Sequence, residues 1–167
     1  MQQKSTWVLV CDASRAKLME QRPNTEGYSV LKEFDHPGSR ARVSEIMSDT
    51  NGRKPVGPSR GVGNGQTIGY GSPGAAPTTD PTEVEHEKFA RELTKALERG
   101  RLDHAYESLI IAAPPQFLGL IRGLMGDPLA RHVQLTIDKD FTNLDTRELA
   151  TRIATATATA TASASAS

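Results

Sequence analysis

Hydrophobic and polar positions follow two different periods along this chain, and the change of period divides it. Thr6 to Asp12 (TWVLVCD) is a nearly continuous apolar run rich in valine, the pattern of a central strand covered on both faces. Asp12-Ala13-Ser14-Arg15 is turn chemistry, because Asp and Ser side chains bond nearby backbone groups. Ala16 to Gln21 predicts a second strand, Pro23 to Gly27 a turn, and Tyr28 to Phe34 a third strand with partial alternation. Connections this short suit an antiparallel meander.

The helical period takes over afterwards. Ser39 to Met47 can form a short helix with Val43, Ile46 and Met47 on one side. A much stronger helix begins at Asp80-Pro81-Thr82-Glu83, which combines an N-cap, a proline at the first helical position and an acid three residues after the cap. Glu83, Glu85 and Glu87 sit at the positive end of its dipole. Phe89, Leu93, Ala96 and Leu97 form its apolar stripe, and Arg99-Gly100 reads as its stop. Ser108 to Ala113 predicts another buried strand, ended by Pro114-Pro115. A helix opening at Pro115 places Phe117, Leu118, Ile121, Leu124 and Met125 inward before Gly126. His132 to Asp138 alternates as a fifth strand. Asp145 to Glu148 is a capping box, with Leu144 stapled against Leu149, and starts a last helix through about Ile153.

The predicted order is β-β-β, a long loop, then α-β-α-β-α. With right-handed crossovers this gives an α/β fold with a mixed five-stranded sheet and helices on its faces, the topology of ribonuclease-H-like folds. Residues 1–153 read as a single domain. From Ala154 to Ser167 the chain alternates alanine with threonine and then serine and carries no apolar stripe, so this tail is expected to be disordered beyond a short helical extension.

The segment without periodicity is Ser48 to Asp80, with eight glycines, four prolines and several basic residues. A Gly/Pro-rich stretch of this length before the main helix is either a functional loop or solvated chain with no specific partner. Twenty Lys and Arg balance twenty Asp and Glu, so attraction to nucleic acid must be local rather than global. Within the loop, Gly63, Asn64 and Gly65 permit positive φ and a close approach of backbone to another molecule. Gln66 follows them and could position a water. Arg53, Lys54 and Arg60, with Arg40 and Arg42 upstream, can contact phosphates.

Other chemistry is thinner. Cys11 is the single cysteine, which excludes an internal disulfide and a multi-cysteine zinc site; it reads as a small buried hydrophobe. His36, His86, His104 and His132 are scattered without metal-ligand spacing, and His86 reads as a surface residue. Asp12, Glu85 or Glu87, and Asp138 or Asp140 could in principle gather as the carboxylates of a two-metal nuclease, but each also fits as a turn or helix-start acid. No cofactor motif is present, and no metal or cofactor is expected. No stretch approaches the ~18–20 apolar residues of a membrane span, and the N-terminus does not read as a secretory signal. Membrane insertion is not expected, and a cytoplasmic location is.

Several motifs carry a family resemblance: residues 7–17 (WVLVCDASRAK), His36-Pro37, Ser39-Arg40, Ser59-Arg60, residues 85–93 (EHEKFAREL), residues 113–119 (APPQFLG) and Asp138-Lys139-Asp140. Together they resemble the bacterial host attachment proteins over roughly residues 5–153. That family is similar in turn to the middle domain of eukaryotic and archaeal class-1 peptide release factors. There a loop bearing Gly-Gly-Gln lies between a meander and a long helix, and helps water cleave the peptidyl-tRNA ester. Gly65-Gln66 lies in the corresponding place here, with Asn64 where the first glycine would be. The resemblance implies a partner in the ribosome or tRNA. It assigns Gln66 the water-positioning role and Gly63, Asn64 and Gly65 the fit of the loop, with Arg40, Arg53, Lys54 and Arg60 as phosphate contacts. The family name itself implies a different role, a non-enzymatic protein that supports attachment to host cells.

Overall fold

The computed structural model describes residues 5–40 and 80–165. Its strands are β1 (Thr6–Cys11), β2 (Arg15–Gln21), β3 (Ser29–Asp35), β4 (Ser108–Ala112) and β5 (Val133–Ile137). They form one sheet in the order β3-β2-β1-β4-β5. β2 runs antiparallel to both β1 and β3, while β1–β4 and β4–β5 are parallel pairs. The expected α/β class, with a mixed five-stranded sheet, is the one observed. Four of the five strands therefore share a direction and end at one edge of the sheet.

The continuous apolar run of β1 is explained by what covers it. Trp7, Leu9 and Cys11 point into one core, shared with Leu109 and Ile111 of β4. That core is closed by α1 (Pro81–Leu102), through Phe89, Leu93 and Leu97, and by α2 (Pro115–Leu124), through Phe117, Leu118 and Ile121. Val8 and Val10 point the other way with Ile110 and Ala112, under Leu149 and Ile153 of the C-terminal helix. A strand buried on both faces has no position left for a polar side chain. Cys11 is fully buried, and its thiol is pushed well up by that burial and by the neighbouring Asp12 and Asp140 carboxylates.

Residues 37–40 are helical. The rest of the short helix expected over Ser39–Met47, and the Gly/Pro-rich loop as far as Thr79, lie outside the described residues. At the start of α1 the Asp80 Oδ1 accepts from the Thr82 backbone N–H at 2.9 Å, and Asp145 Oδ1 accepts from the Glu148 N–H at 2.8 Å. Both caps sit where the sequence places them.

Three features differ from expectation. The main helix does not stop at Gly100 but continues to Leu102. Gly100 is there for space: a Cβ at this position would overlap ring carbons of Trp7 and come within 3.1 Å of Tyr106 Cε1. The actual stop is His104, at φ 52°. The Ala105 N–H bonds to Gly100 O at 2.9 Å and the His104 N–H to Arg101 O at 3.1 Å, which together form a Schellman motif with histidine in the left-handed position usually held by glycine. A further short helix, α3 (Asp127–Ala130), follows α2 and buries Leu129; the sequence reading passed over it because a single turn shows no periodicity.

The last helix, α4 (Thr146–Ser165), is the third difference. It runs through the Ala/Thr/Ser stretch expected to be disordered. Alanine is the best helix former, and each hydroxyl folds back onto the carbonyl four residues earlier, as in Thr155 to Thr151 at 2.9 Å and Thr161 to Thr157 at 3.0 Å. The helix beyond Ala156 therefore closes its polar groups on itself rather than on the sheet.

Two substitutions test this packing. Gly100→Ala adds a good helix former, worth about 1 kcal/mol in an open helix, yet against Trp7 it is expected to lower stability by about 1–3 kcal/mol. His104→Gly is expected to raise stability by about 1 kcal/mol by relieving the left-handed backbone. Denaturant midpoints at constant m-value measure both; a gain for Gly100→Ala would mean that the Trp7 ring yields at no cost.

Candidate functional site

The shared direction of β1, β3, β4 and β5 brings Asp12, His36, Pro114 and Asp138 to one edge of the sheet. In open α/β sheets the carboxyl edge is where ligands are held, because the loops leaving it are free of ladder constraints. Two polar constellations occupy this edge.

The first closes the β1–β2 turn. Asp12 Oδ1 accepts from the backbone N–H of Ser14 and of Arg15, both at 2.7 Å, and from Ser14 Oγ at 3.1 Å. The Thr142 hydroxyl lies 3.2 Å from Asp12 Oδ2 and 2.6 Å from Asp140 Oδ1. Its single proton can serve only one of them at a time. Burial works against the charge on Asp12, but the hydrogen bonds from Ser14, Arg15 and Thr142 outweigh it and hold the carboxyl below its ordinary 3.8. Arg15 reaches across to Asn143 Oδ1 at 3.2 Å. The turn at 12–15 is thus tied to the 140–143 loop that follows β5.

The second ties two points 49 positions apart. His36 Nε2 lies 3.0 Å from Glu85 Oε2, and Lys88 Nζ donates to Glu85 Oε1 at 2.9 Å. These bonds, that of Lys88 first and that of His36 second, hold the Glu85 carboxyl below its ordinary 4.5. An ionised carboxylate only accepts, so Nε2 of His36 carries a proton. The imidazole stacks on Phe89 at 5.3 Å, and Phe89 on Phe117 at 5.8 Å, which fixes the ring against the core. The His36 backbone N–H donates to Ser14 O at 2.8 Å, joining this tie to the Asp12 turn. Gly38 lies against Glu85, whose Oε2 a Cβ there would approach at 3.0 Å.

His36 follows β3 and Glu85 lies in the first turns of α1, so the tie joins the chain on either side of the Gly-rich stretch. Sequence reasoning missed it. Both residues stood in motifs already singled out, but nothing in a linear pattern pairs a turn histidine with a helix acid across so long a gap.

Of the residues assigned to the site from sequence, only Arg40 is among the described ones. Its guanidinium lies 3.5 Å from Asp35 Oδ1 in an exposed pair, worth little to stability. Arg53, Lys54, Arg60, Gly63, Asn64, Gly65 and Gln66 lie outside the described residues. Four acids of the nuclease alternative are otherwise engaged: Asp12 in its turn, Glu85 with His36 and Lys88, Glu87 with Arg91, and Asp140 with Thr142. Among the described residues no three His, Cys, Asp or Glu come together as a metal-binding group, and no helix is long and apolar enough to cross a membrane.

Because the folded-state value of Glu85 is lowered, its contribution to stability is fully present above the unfolded value near 4.5 and is lost as the pH falls through the folded value. Glu85→Gln, which keeps the shape but not the charge, is therefore expected to be less stable than the wild type at pH 7, with a smaller gap at pH 3. Urea midpoints at the two pH values measure this; a gap of equal size at both would show that the charge on Glu85 plays no part.

Three comparisons bear on the chain. A family model described as "Protein required for attachment to host cells" matches residues 7–153. No curated protein matches significantly. Among solved structures, the crystal structure of an archaeal translation termination factor, aRF1, aligns with TM-score 0.40 and 13% identity over 80% of this chain and 29% of that one. A second structure, of an archaeal protein, aligns with TM-score 0.41 and 11% identity over 81% and 30%. The chain thus spans less than a third of either structure.

Proposed function

The chain belongs to the family of proteins required for attachment to host cells, and we propose that it acts there as a cytoplasmic, translation-associated protein that binds ribosome or tRNA through the Gly-rich loop, Ser48 to Asp80. The observation that carries this reading is the His36–Glu85 tie. It holds the chain on either side of the Gly-rich segment against a rigid base at the carboxyl edge. The base itself is built from the strand order β3-β2-β1-β4-β5 with β2 antiparallel to its neighbours, an arrangement that supports a ribonuclease-H-like topology for residues 1–153.

A loop with fixed ends loses less entropy when it is ordered by a partner than one with free ends. On this reading Arg53, Lys54 and Arg60 of the segment, with Arg40 at its base, neutralise RNA phosphates. Gly63, Asn64 and Gly65 allow close backbone approach, and Gln66 positions water at a peptidyl-tRNA ester. Most of the catalytic surroundings would come from the ribosome, so the isolated protein is not expected to hydrolyse the ester efficiently.

The alternative, a non-enzymatic interaction protein that supports attachment, is favoured by the family description. A metal-dependent nuclease has the least support, since Asp12 Oδ1 already serves three donors of its own turn. The discriminating experiment is cosedimentation with ribosomes over a salt series. Wild type is expected to bind with salt-sensitive affinity, and joint reversal of Arg53, Lys54 and Arg60 to glutamate to weaken binding at least tenfold and flatten the salt dependence by roughly 0.7 log units per lost phosphate contact. Gln66→Ala is expected to bind normally and to fail only in ester hydrolysis. Absence of wild-type binding at low salt would remove the translation reading and leave the attachment role.

A further inference from the structure

The C-terminal helix covers only part of its face of the sheet. Leu149 and Ile153 of α4 share a cluster with residues of β1, β4 and β5 and with Met19 of β2, while no helix among the described residues lies over β3 on this face, and Val30 on β3 is 46% exposed. Where the covering stops, at the corner beside Phe141 and Thr142, a cavity of about 310 Å³ opens between β1–β3 and the start of α4. It shares Arg15 and Thr142 with the Asp12 constellation, but no residue with the His36–Glu85 tie.

Its walls divide by chemistry. Val10, Phe141 and Leu149 supply an apolar side. Arg15 and Lys17 supply two cations. Lys17 is the deeper, 29% exposed at the side chain, and its only charged neighbour among the described residues is Glu33 at 3.6 Å, too long for a hydrogen bond. None of its three N–H donors has a hydrogen-bond acceptor among the described residues. Arg15 gives Nη2 to Asn143 and pairs through Nε with Asp12 Oδ2 at 3.7 Å, and its Nη1 has no hydrogen-bond acceptor among the described residues. The two acids of the lining, Glu33 and Asp35, stand at the rim with side chains 68% and 62% exposed. Asp35 is partnered there by Arg40. Lys17 is therefore the cation set back in the cavity, while Arg15, 46% exposed, stands nearer the mouth with the two acids.

We propose that this cavity is a binding site for a small organic carboxylate with a compact apolar body. The carboxylate would take the unused donors of Lys17 and Arg15, replacing the long contact to Glu33 with charge-assisted hydrogen bonds. The body would lie against Val10, Phe141 and Leu149. The volume is at the small end of ligand pockets, which limits the body to one ring or a short branched chain. An inorganic anion would leave the apolar wall wet, and a neutral molecule of the same shape would offer the half-buried ammonium no charged acceptor. The site stands independently of the ribosome reading and needs no residue of the 41–79 segment.

The test uses the full chain, isothermal titration calorimetry and ¹H–¹⁵N spectra, with three probes: 3-phenylpropanoate, 3-phenylpropan-1-ol with the same body and no charge, and acetate with the charge and no body. Phenylpropanoate is expected to bind saturably, and the other two at least tenfold more weakly. Its shifts are expected to map to residues 10, 15–17 and 141–149. Lys17→Met, on a partly exposed strand position that tolerates an apolar chain, is expected to weaken binding about 10- to 100-fold, the loss of a hydrogen bond to a charged group. Glu33→Gln is expected to leave the fold intact and to tighten binding by removing the competing acid. Equal affinity for the acid and the alcohol, shifts that map elsewhere, undiminished binding by folded Lys17→Met, or no saturable binding by the wild type would each overturn the proposal.

Discussion

Everything in this structure depends on burying β1 from both sides at once. Its residues alternate between a core closed by α1 and α2 and a core closed by α4, so neither layer is stable without the strand that separates them. β4 repeats the device with Leu109 and Ile111 on one side and Ile110 and Ala112 on the other. The two strands are parallel neighbours, which requires the long crossover between β3 and β4. The crossover contains both the 41–79 segment and α1. The excursion is therefore a consequence of the sheet: any chain making this pairing must leave the edge after β3 and return along the face.

That requirement explains where polar chemistry can reside. The core holds few polar groups, such as the Thr94 hydroxyl bonded to Ala90 O at 2.8 Å and the Tyr106 hydroxyl bonded to Leu97 O at 2.8 Å. Both are satisfied by helix carbonyls rather than by another side chain, whereas the Trp7 indole N–H and the Ser39 hydroxyl are buried with no hydrogen-bond partner among the described residues. Charged and hydrogen-bonding side chains with free capacity gather instead at the carboxyl edge, where loops leave the sheet and backbone groups need local partners. Asp12 shows how strongly that need acts. Its first function is to satisfy the turn that starts β2, and the lowered pKa of its carboxyl is a by-product of that duty rather than a sign of catalysis.

Much of the architecture was legible in the sequence because it rests on patterns of one segment at a time. The valine-rich run of β1, the cap at Asp80 and the Phe89–Leu93–Leu97 stripe each state their own environment. Gly100 was misread because glycine near a helix end has two meanings, a left-handed backbone or a lack of room, and only Trp7, over 90 residues away, decides between them. His104 was missed as the stop for the complementary reason: histidine takes positive φ rarely, so the motif is visible only in the backbone. The alternating tail was read as unstructured because it lacks an apolar stripe, whereas its helix is sustained by alanine and by hydroxyls bonded along its own axis. At the candidate site, the linear pattern located the segment and its basic residues but not the His36–Glu85 tie, since long-range pairs have no period.

The same separation bears on how a site can change without loss of the fold. The cavity beside Phe141, the Asp12 turn and the tie at His36 occupy one edge and are linked to one another: Ser14 O receives the His36 N–H, Arg15 spans from the turn to Asn143, and Asp35 lies between the cavity rim and Arg40. The apolar wall of the cavity, Val10 and Leu149, belongs to the core, but of the polar side chains linked here only His36 stacks on a core ring, that of Phe89. A substitution at Lys17, Glu33 or Arg40 can alter what the edge recognises while the packing of β1 against its two layers stays the same. His36 differs from them. Its ring stacks on Phe89 and its Nε2 faces Glu85, so it is the one place among these contacts where a change in core packing reaches directly into the polar edge.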